Sequence, residues 1–123
     1  MSDKRTILIF DEDKSVLDQI RSLLPPDEFA VETITDGTQI LPMARSQHPS
    51  ILIANPDGHG FNAYDVCKYV KREMNIPVIL LIDKTSTTRA QIDECEPDDV
   101  FLKPLDGNGV LNIVRKNISF LGE

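Results

Sequence analysis

Three places in the chain carry side chains whose types and spacing can do chemistry. Asp11, Glu12 and Asp13 form an acidic run after the apolar stretch Ile7 to Phe10; Asn55, with Asp57 two residues on, closes the apolar stretch Ile51 to Ala54; and Lys103 follows Asp99 to Leu102. Two carboxylates beside a third oxygen donor suit Mg2+, a hard cation that takes oxygen ligands and keeps several waters. A lysine close by can stabilise charge developing on a phosphoryl group. Asn55 is the discordant member, because a strand that closes beside acidic residues ends here on a neutral amide.

These groups act together only if the fold brings them together, and the patterning along the chain says that it does. Thr6 to Phe10 reads as a strand, and Asp13 caps a helix whose apolar residues Val16, Leu17, Ile20, Leu23 and Leu24 recur at helical spacing before Pro25-Pro26 ends it. Phe29 to Ile34 is a second strand, followed by a weaker helix from Ile40 to Arg45 that Pro42 should shorten or kink. Ile51 to Ala54 is a third strand, ended by the turn residues Asn55, Pro56, Asp57 and Gly58, and Asn62 can cap a helix to about Glu73. Val78 to Ile82 is continuously apolar, as a strand buried on both faces is. A polar helical stretch from Thr85 to Cys95, a strand from Asp99 to Leu102 and a helix from Val110 to Ile118 complete the order.

Strand and helix alternate five times, which predicts one α/β domain over residues 1–123: a flavodoxin-like (βα)5 doubly wound parallel sheet with strand order 2-1-3-4-5. In that order strands 1 and 3 are neighbours, so the residues after Phe10 and after Ala54 face one crevice. The end of strand 5, with Lys103, borders it.

The segments "ILIFDED" (Ile7 to Asp13), "HPSILIANPDG" (His48 to Gly58), "IPVILLID" (Ile76 to Asp83) and "DDVFLKPLD" (Asp98 to Asp106) together resemble the receiver domain of two-component response regulators, over nearly the whole chain. The resemblance implies a domain that takes a phosphoryl group from a histidine kinase onto an aspartate ending strand 3, with Mg2+ held by the acidic pair Asp11 and Glu12 and by the backbone carbonyl of Asp57. It also implies Lys103 as the pocket lysine, with a cis bond to Pro104.

Three departures from that family pattern stand out. The phospho-acceptor position is Asn55; the phosphate-sensing hydroxyl position is Ile82; and the rotating aromatic of strand 5 is Val100. Deamidation is a poor route back to aspartate, since the following residue is Pro56, whose nitrogen carries no hydrogen. Three coupled losses predict a pseudo-receiver that works by phosphorylation-independent protein contact and not as an enzyme. The alternatives are a phosphoryl acceptor using an atypical residue such as Asp57, and a dimerisation module of a longer regulator. With one carboxylate missing, no cofactor is expected beyond residual Mg2+ bound about 10- to 100-fold more weakly than in the family. Asp11 to Asp13 also suit a plain strand end and helix cap, Lys103 a counter-ion to Asp11, and His59 an exposed loop position.

A net charge of −7 opposes binding to nucleic acid and to anionic membranes. Lys4 and Arg5 are followed by only four apolar residues, Ile7 to Phe10, far short of a signal-peptide core, and Cys67 and Cys95 lack metal-ligand spacing. These features lead to the expectation of a cytoplasmic protein with reduced thiols. Its partners would be proteins: a histidine kinase, an output domain outside these 123 residues, or a second copy. The family's usual signalling surface comprises here the stretch Thr85 to Cys95, strand 5 and the last helix, where Arg115 and Lys116 are expected to face Asp93, Glu94, Glu96, Asp98 and Asp99.

Overall fold

The computed structural model describes residues 4–56, 63–82, 92, 93, 95–102 and 107–119. Five strands, β1 (Arg5–Phe10), β2 (Phe29–Ile34), β3 (Ile51–Ala54), β4 (Val78–Ile82) and β5 (Asp99–Leu102), form one parallel sheet in the order β2-β1-β3-β4-β5. This is the flavodoxin-like order that the alternation predicts. Around it lie α1 (Lys14–Leu23), α2 (Ile40–Gln47), α3 (Ala63–Met74) and α4 (Gly107–Ser119). Of the stretch expected to be helical from Thr85 to Cys95, only Ile92, Asp93 and Cys95 are among the described residues, and all three are helical.

Because side chains alternate along a strand, each central strand supplies both faces. Ile7, Ile9, Ile51, Ile53, Ile79 and Leu81 pack under α1 and α4 against Leu17, Ile20, Val110 and Val114. Leu8, Phe10, Leu52, Ala54, Val78, Leu80 and Ile82 pack under α2 and α3 against Ile40, Ala44, Cys67 and Val70. β3 and β4 are buried at every position, the continuous apolar run that two covered faces require.

Local chemistry sets the element ends. Asp13 caps α1 by accepting from the Ser15 amide at 2.9 Å, and Leu24, preceding Pro25, turns to extended backbone and stops the helix. Asp36 caps a 3-10 turn, Gly37–Gln39, that runs into α2, and its bonds to the Thr38 hydroxyl and amide hold its carboxyl below the usual carboxylate range. Pro42 falls in the first turn of α2, where its missing N–H has no helical partner to lose; the helix is short, at eight residues. His48 (φ 46°) and Asn75 (φ 57°) supply left-handed residues after α2 and α3.

Long-range polar contacts tie the periphery to the sheet. Asp98 bridges backbone and helix: its carboxylate accepts from the Val78 amide at 2.8 Å and from Lys71 of α3 at 3.0 Å. Arg115 of α4 makes a two-pronged contact with Glu28, just before β2, at 2.7 and 3.2 Å.

Two expectations follow. Leu80→Ala, in a fully buried position of β4, should lower unfolding stability by about 2–5 kcal/mol in urea titration, whereas exposed Gln47→Ala should change it by less than about 0.5 kcal/mol. The bond to Arg115 lowers the Glu28 pKa from its ordinary 4.5, so the pair contributes stability above that pH and loses it as pH falls through the depressed value. Glu28→Gln should therefore lower the thermal midpoint slightly at pH 7, with the gap from wild type closing as pH falls through the depressed value.

Candidate functional site

The ends of β1 and β3 meet as the strand order requires. Phe10 pairs with Ala54 in the ladder, and the Asn55 amide continues it by donating to the Phe10 carbonyl at 3.0 Å. On the other side, the Asp11 amide donates to Ile34 of β2 at 3.3 Å. Asp11 and Asn55 are thus held side by side at the carboxyl end of the sheet by backbone bonds on both flanks.

Asp11 is 2% exposed and is the one buried charged side chain among the described residues. Its Oδ1 accepts from the Asp13 amide at 2.9 Å, and its Oδ2 accepts from Asn55 Nδ2 at 3.2 Å. A carboxylate offers acceptors and no donors, so the amide turns its NH2 toward it. Burying a carboxylate is costly unless donors satisfy it, and Asn55 supplies one of them. Glu12 is exposed at the mouth, and Asp13 is committed to its helix cap through both the amide and the hydroxyl of Ser15.

The donor set can be tested against Mg2+ on this geometry. A metal at Asp11 would compete with the hydrogen bond from Asn55 and would have to turn the amide round to reach its oxygen, which carries no full charge. The described residues therefore fit Mg2+ poorly, and no cluster of three or more His, Cys, Asp or Glu side chains that could hold a metal occurs among them. Asp57, His59, Lys103 and the Lys103-Pro104 bond lie outside the described residues.

Ile82 and Val100, expected from the family resemblance at the switch positions, are both on the α2 and α3 side of the sheet. Ile82, the last residue of β4, is 5% exposed and belongs to the core cluster there; Val100 of β5 is half-buried and packs against the same cluster. Both side chains are in apolar packing.

The expected charge pairing near β5 is realised only in part. Lys116 does reach Asp99, at 3.7 Å. Arg115 points the other way, to Glu28, while Asp98 and Glu96 pair with Lys71 and Arg72 of α3. Sequence reading missed these partners, and it missed that Cys67 and Cys95, both free, are buried in the same core cluster. The available signal was the i, i+4 spacing of Cys67 and Lys71, which the helical period places on one face of α3.

Comparison with known proteins agrees with this architecture. The family model of the response regulator receiver domain matches residues 7–115. The DNA-binding response regulator MtrA of Mycobacterium tuberculosis is 28% identical over 116 residues, covering 94% of this chain and 51% of MtrA. The transcriptional regulatory protein CseB of Streptomyces coelicolor is 27% identical over 116 residues, 94% of this chain and 50% of CseB. The chain thus spans about half the length of these relatives. Among solved structures, a CheY-like receiver domain protein of Methanospirillum hungatei superposes with a TM-score of 0.85 at 13% identity, covering 96% of both chains. The receiver domain of AraT from Geobacillus stearothermophilus superposes with a TM-score of 0.82 at 21% identity, covering 95% of both. The chain belongs to the response regulator receiver domain family of two-component signalling.

Proposed function

We propose that this receiver domain is a pseudo-receiver: it keeps the scaffold of the family, does not accept a phosphoryl group, and signals through constitutive contact with a protein partner. The observation that carries this reading is the bond from Asn55 Nδ2 to Asp11 Oδ2 at 3.2 Å. It occupies a buried carboxylate with an amide at the position where the family pattern calls for the nucleophile. Acyl-phosphate chemistry needs a carboxylate oxygen as attacking group, and Asn55 has none.

The apolar packing of Ile82 and Val100 favours the same reading. A bound phosphoryl group shifts an equilibrium only by as much as it contacts the two states differently, and neither side chain offers a hydrogen bond to make that difference. The domain would then be a non-enzymatic binding module in the cytoplasm, with at most weak Mg2+ binding at Asp11, Glu12 and Asp57. Its acidic balance, −7 overall, favours protein partners over nucleic acid or membrane: a histidine kinase, an output domain, or a second copy through β5, α4 and the preceding helical stretch.

Incubation with acetyl phosphate and Mg2+ should leave the intact mass unchanged; a stoichiometric gain of one phosphoryl group would refute the pseudo-receiver and point to an atypical acceptor such as Asp57. Asn55→Asp should behave differently in a metal-dependent way. Two like charges at this separation repel by roughly 4–5 kcal/mol at an effective dielectric near 20, and relaxation should leave a net loss of about 1–3 kcal/mol in EDTA. Millimolar Mg2+ should restore the variant's thermal midpoint while leaving wild type in place. An equal Mg2+ shift in wild type would show that Asn55 does not disable the site.

A further inference from the structure

β2 is an end strand of the sheet and pairs with β1 along its whole length without a bulge. The Ile34 carbonyl faces inward, accepting from the Asp11 amide. Backbone groups alternate between the two sides of a strand, so Val31 and Thr33 turn their N–H and C=O groups outward, away from β1. Their side chains belong to the α1 face: Val31 packs against the cluster that holds Leu24 and Phe29, and Thr33 Oγ1 accepts from Arg21 Nη2 at 3.2 Å. Open edges are commonly blunted by a lysine, a proline or a bulge, and neither Val31 nor Thr33 is charged or a proline.

Beside this edge, between the end of α1 and the start of β2, runs an open groove of ≈ 400 Å³ lined by Leu24, Pro26, Phe29 and Val31, with Arg21 and Ser22 at its rim. That volume is within the range of ligand sites, about 300–1,000 Å³. Arg21 is exposed and is bonded to a hydroxyl; no carboxylate pairs with it among the described residues. Nearby Glu28 is committed to Arg115, and the Glu32 side chain alternates to the opposite face of the sheet.

We propose that the β2 edge is a docking site for an extended, acidic segment of a partner protein. The segment adds a strand through the open groups of Val31 and Thr33, seats an apolar side chain in the groove and pairs a carboxylate with Arg21. The apolar and acidic residues stand two positions apart, because side chains on one face of a strand recur every second residue, roughly 6.8 Å along the chain. Backbone bonds supply affinity in such a complex, and the pocketed side chains supply selectivity. A second copy of this chain is a poor occupant: the antiparallel register that uses both open residues of each strand pairs Val31 with Thr33 and sets the two Glu32 side chains directly opposite, a destabilising like-charge pair. The site is on the sheet edge opposite β5, and the inference does not depend on whether Asn55 accepts a phosphoryl group.

The test selects short random peptides displayed on phage against the native chain, then measures the enriched peptides, synthesised and labelled, by fluorescence anisotropy. Enriched sequences should carry an apolar residue and an aspartate or glutamate two positions apart. On binding, the Val31 and Thr33 amides of wild type should become slow to exchange with deuterium, a measurement that needs no variant. Val31→Pro, which removes an outward N–H and leaves the ladder to β1 intact, should abolish binding. Arg21→Gln should weaken acidic peptides about 5-fold and leave their amide counterparts unchanged. Recovery of no peptide, protection at β5 in place of β2, or equal binding of acidic peptides by Arg21→Gln would overturn the proposal. So would a concentration-dependent dimer that Val31→Pro dissociates, since a second copy would then be the occupant.

Discussion

Pairing of β1 with β3 is the constraint on which the rest of this molecule depends. Both strands are covered on both faces, so their backbone groups have no access to water and must be satisfied in the parallel ladder. Once Phe10 is opposite Ala54 in that ladder, the following residues of each strand are forced together at the edge of the core. Asp11 and Asn55 are neighbours for this reason, and their side-chain bond is a consequence of strand register. A slip of one residue would exchange the two faces of the sheet and expose half of each core cluster.

The buried Asp11 carboxylate gives that neighbourhood its chemical character. In a site of low polarisability a charge must find donors, a counter-ion or a metal. Here an amide hydrogen and a backbone amide are among the donors. That solution is electrically quiet: it satisfies the carboxylate without bringing in a second negative charge that a cation would be needed to offset. Ile82 and Val100, the expected switch positions, are likewise apolar: Ile82 lies in the cluster beneath α2 and α3, and Val100 packs against it. On our reading the scaffold has been retained for its surface, and the polar relay beneath it has been exchanged for packing.

The other end of α3 is held differently. Lys71, Arg72, Asp98 and Glu96 form two ion pairs between α3 and the segment before β5, and Asp98 also secures the first amide of β4. Exposed ion pairs contribute little individually; their role here is to set the position of α3 against the segment that enters β5.

The sequence by itself determined the order and type of the elements, because burial imposes a period on each of them: continuous apolar runs for β3 and β4, helical spacing for α1 and α4, and proline or turn residues at the ends. Strand order followed from alternation and right-handed crossover, and so did the meeting of Asp11 with Asn55. The identity of residue 55 also excluded a carboxylate nucleophile there without any coordinates. Only the tertiary structure decided which side chains bond across the fold. The Asn55 amide faces Asp11 across 44 residues of sequence separation, and Arg115 reaches Glu28 across 87 where sequence placed it beside the acids before β5. Periodicity records which face of an element is covered, and carries no information about which polar end group on a distant element lies opposite. Helix placement decides that, and helix placement is set by the packing of the whole core.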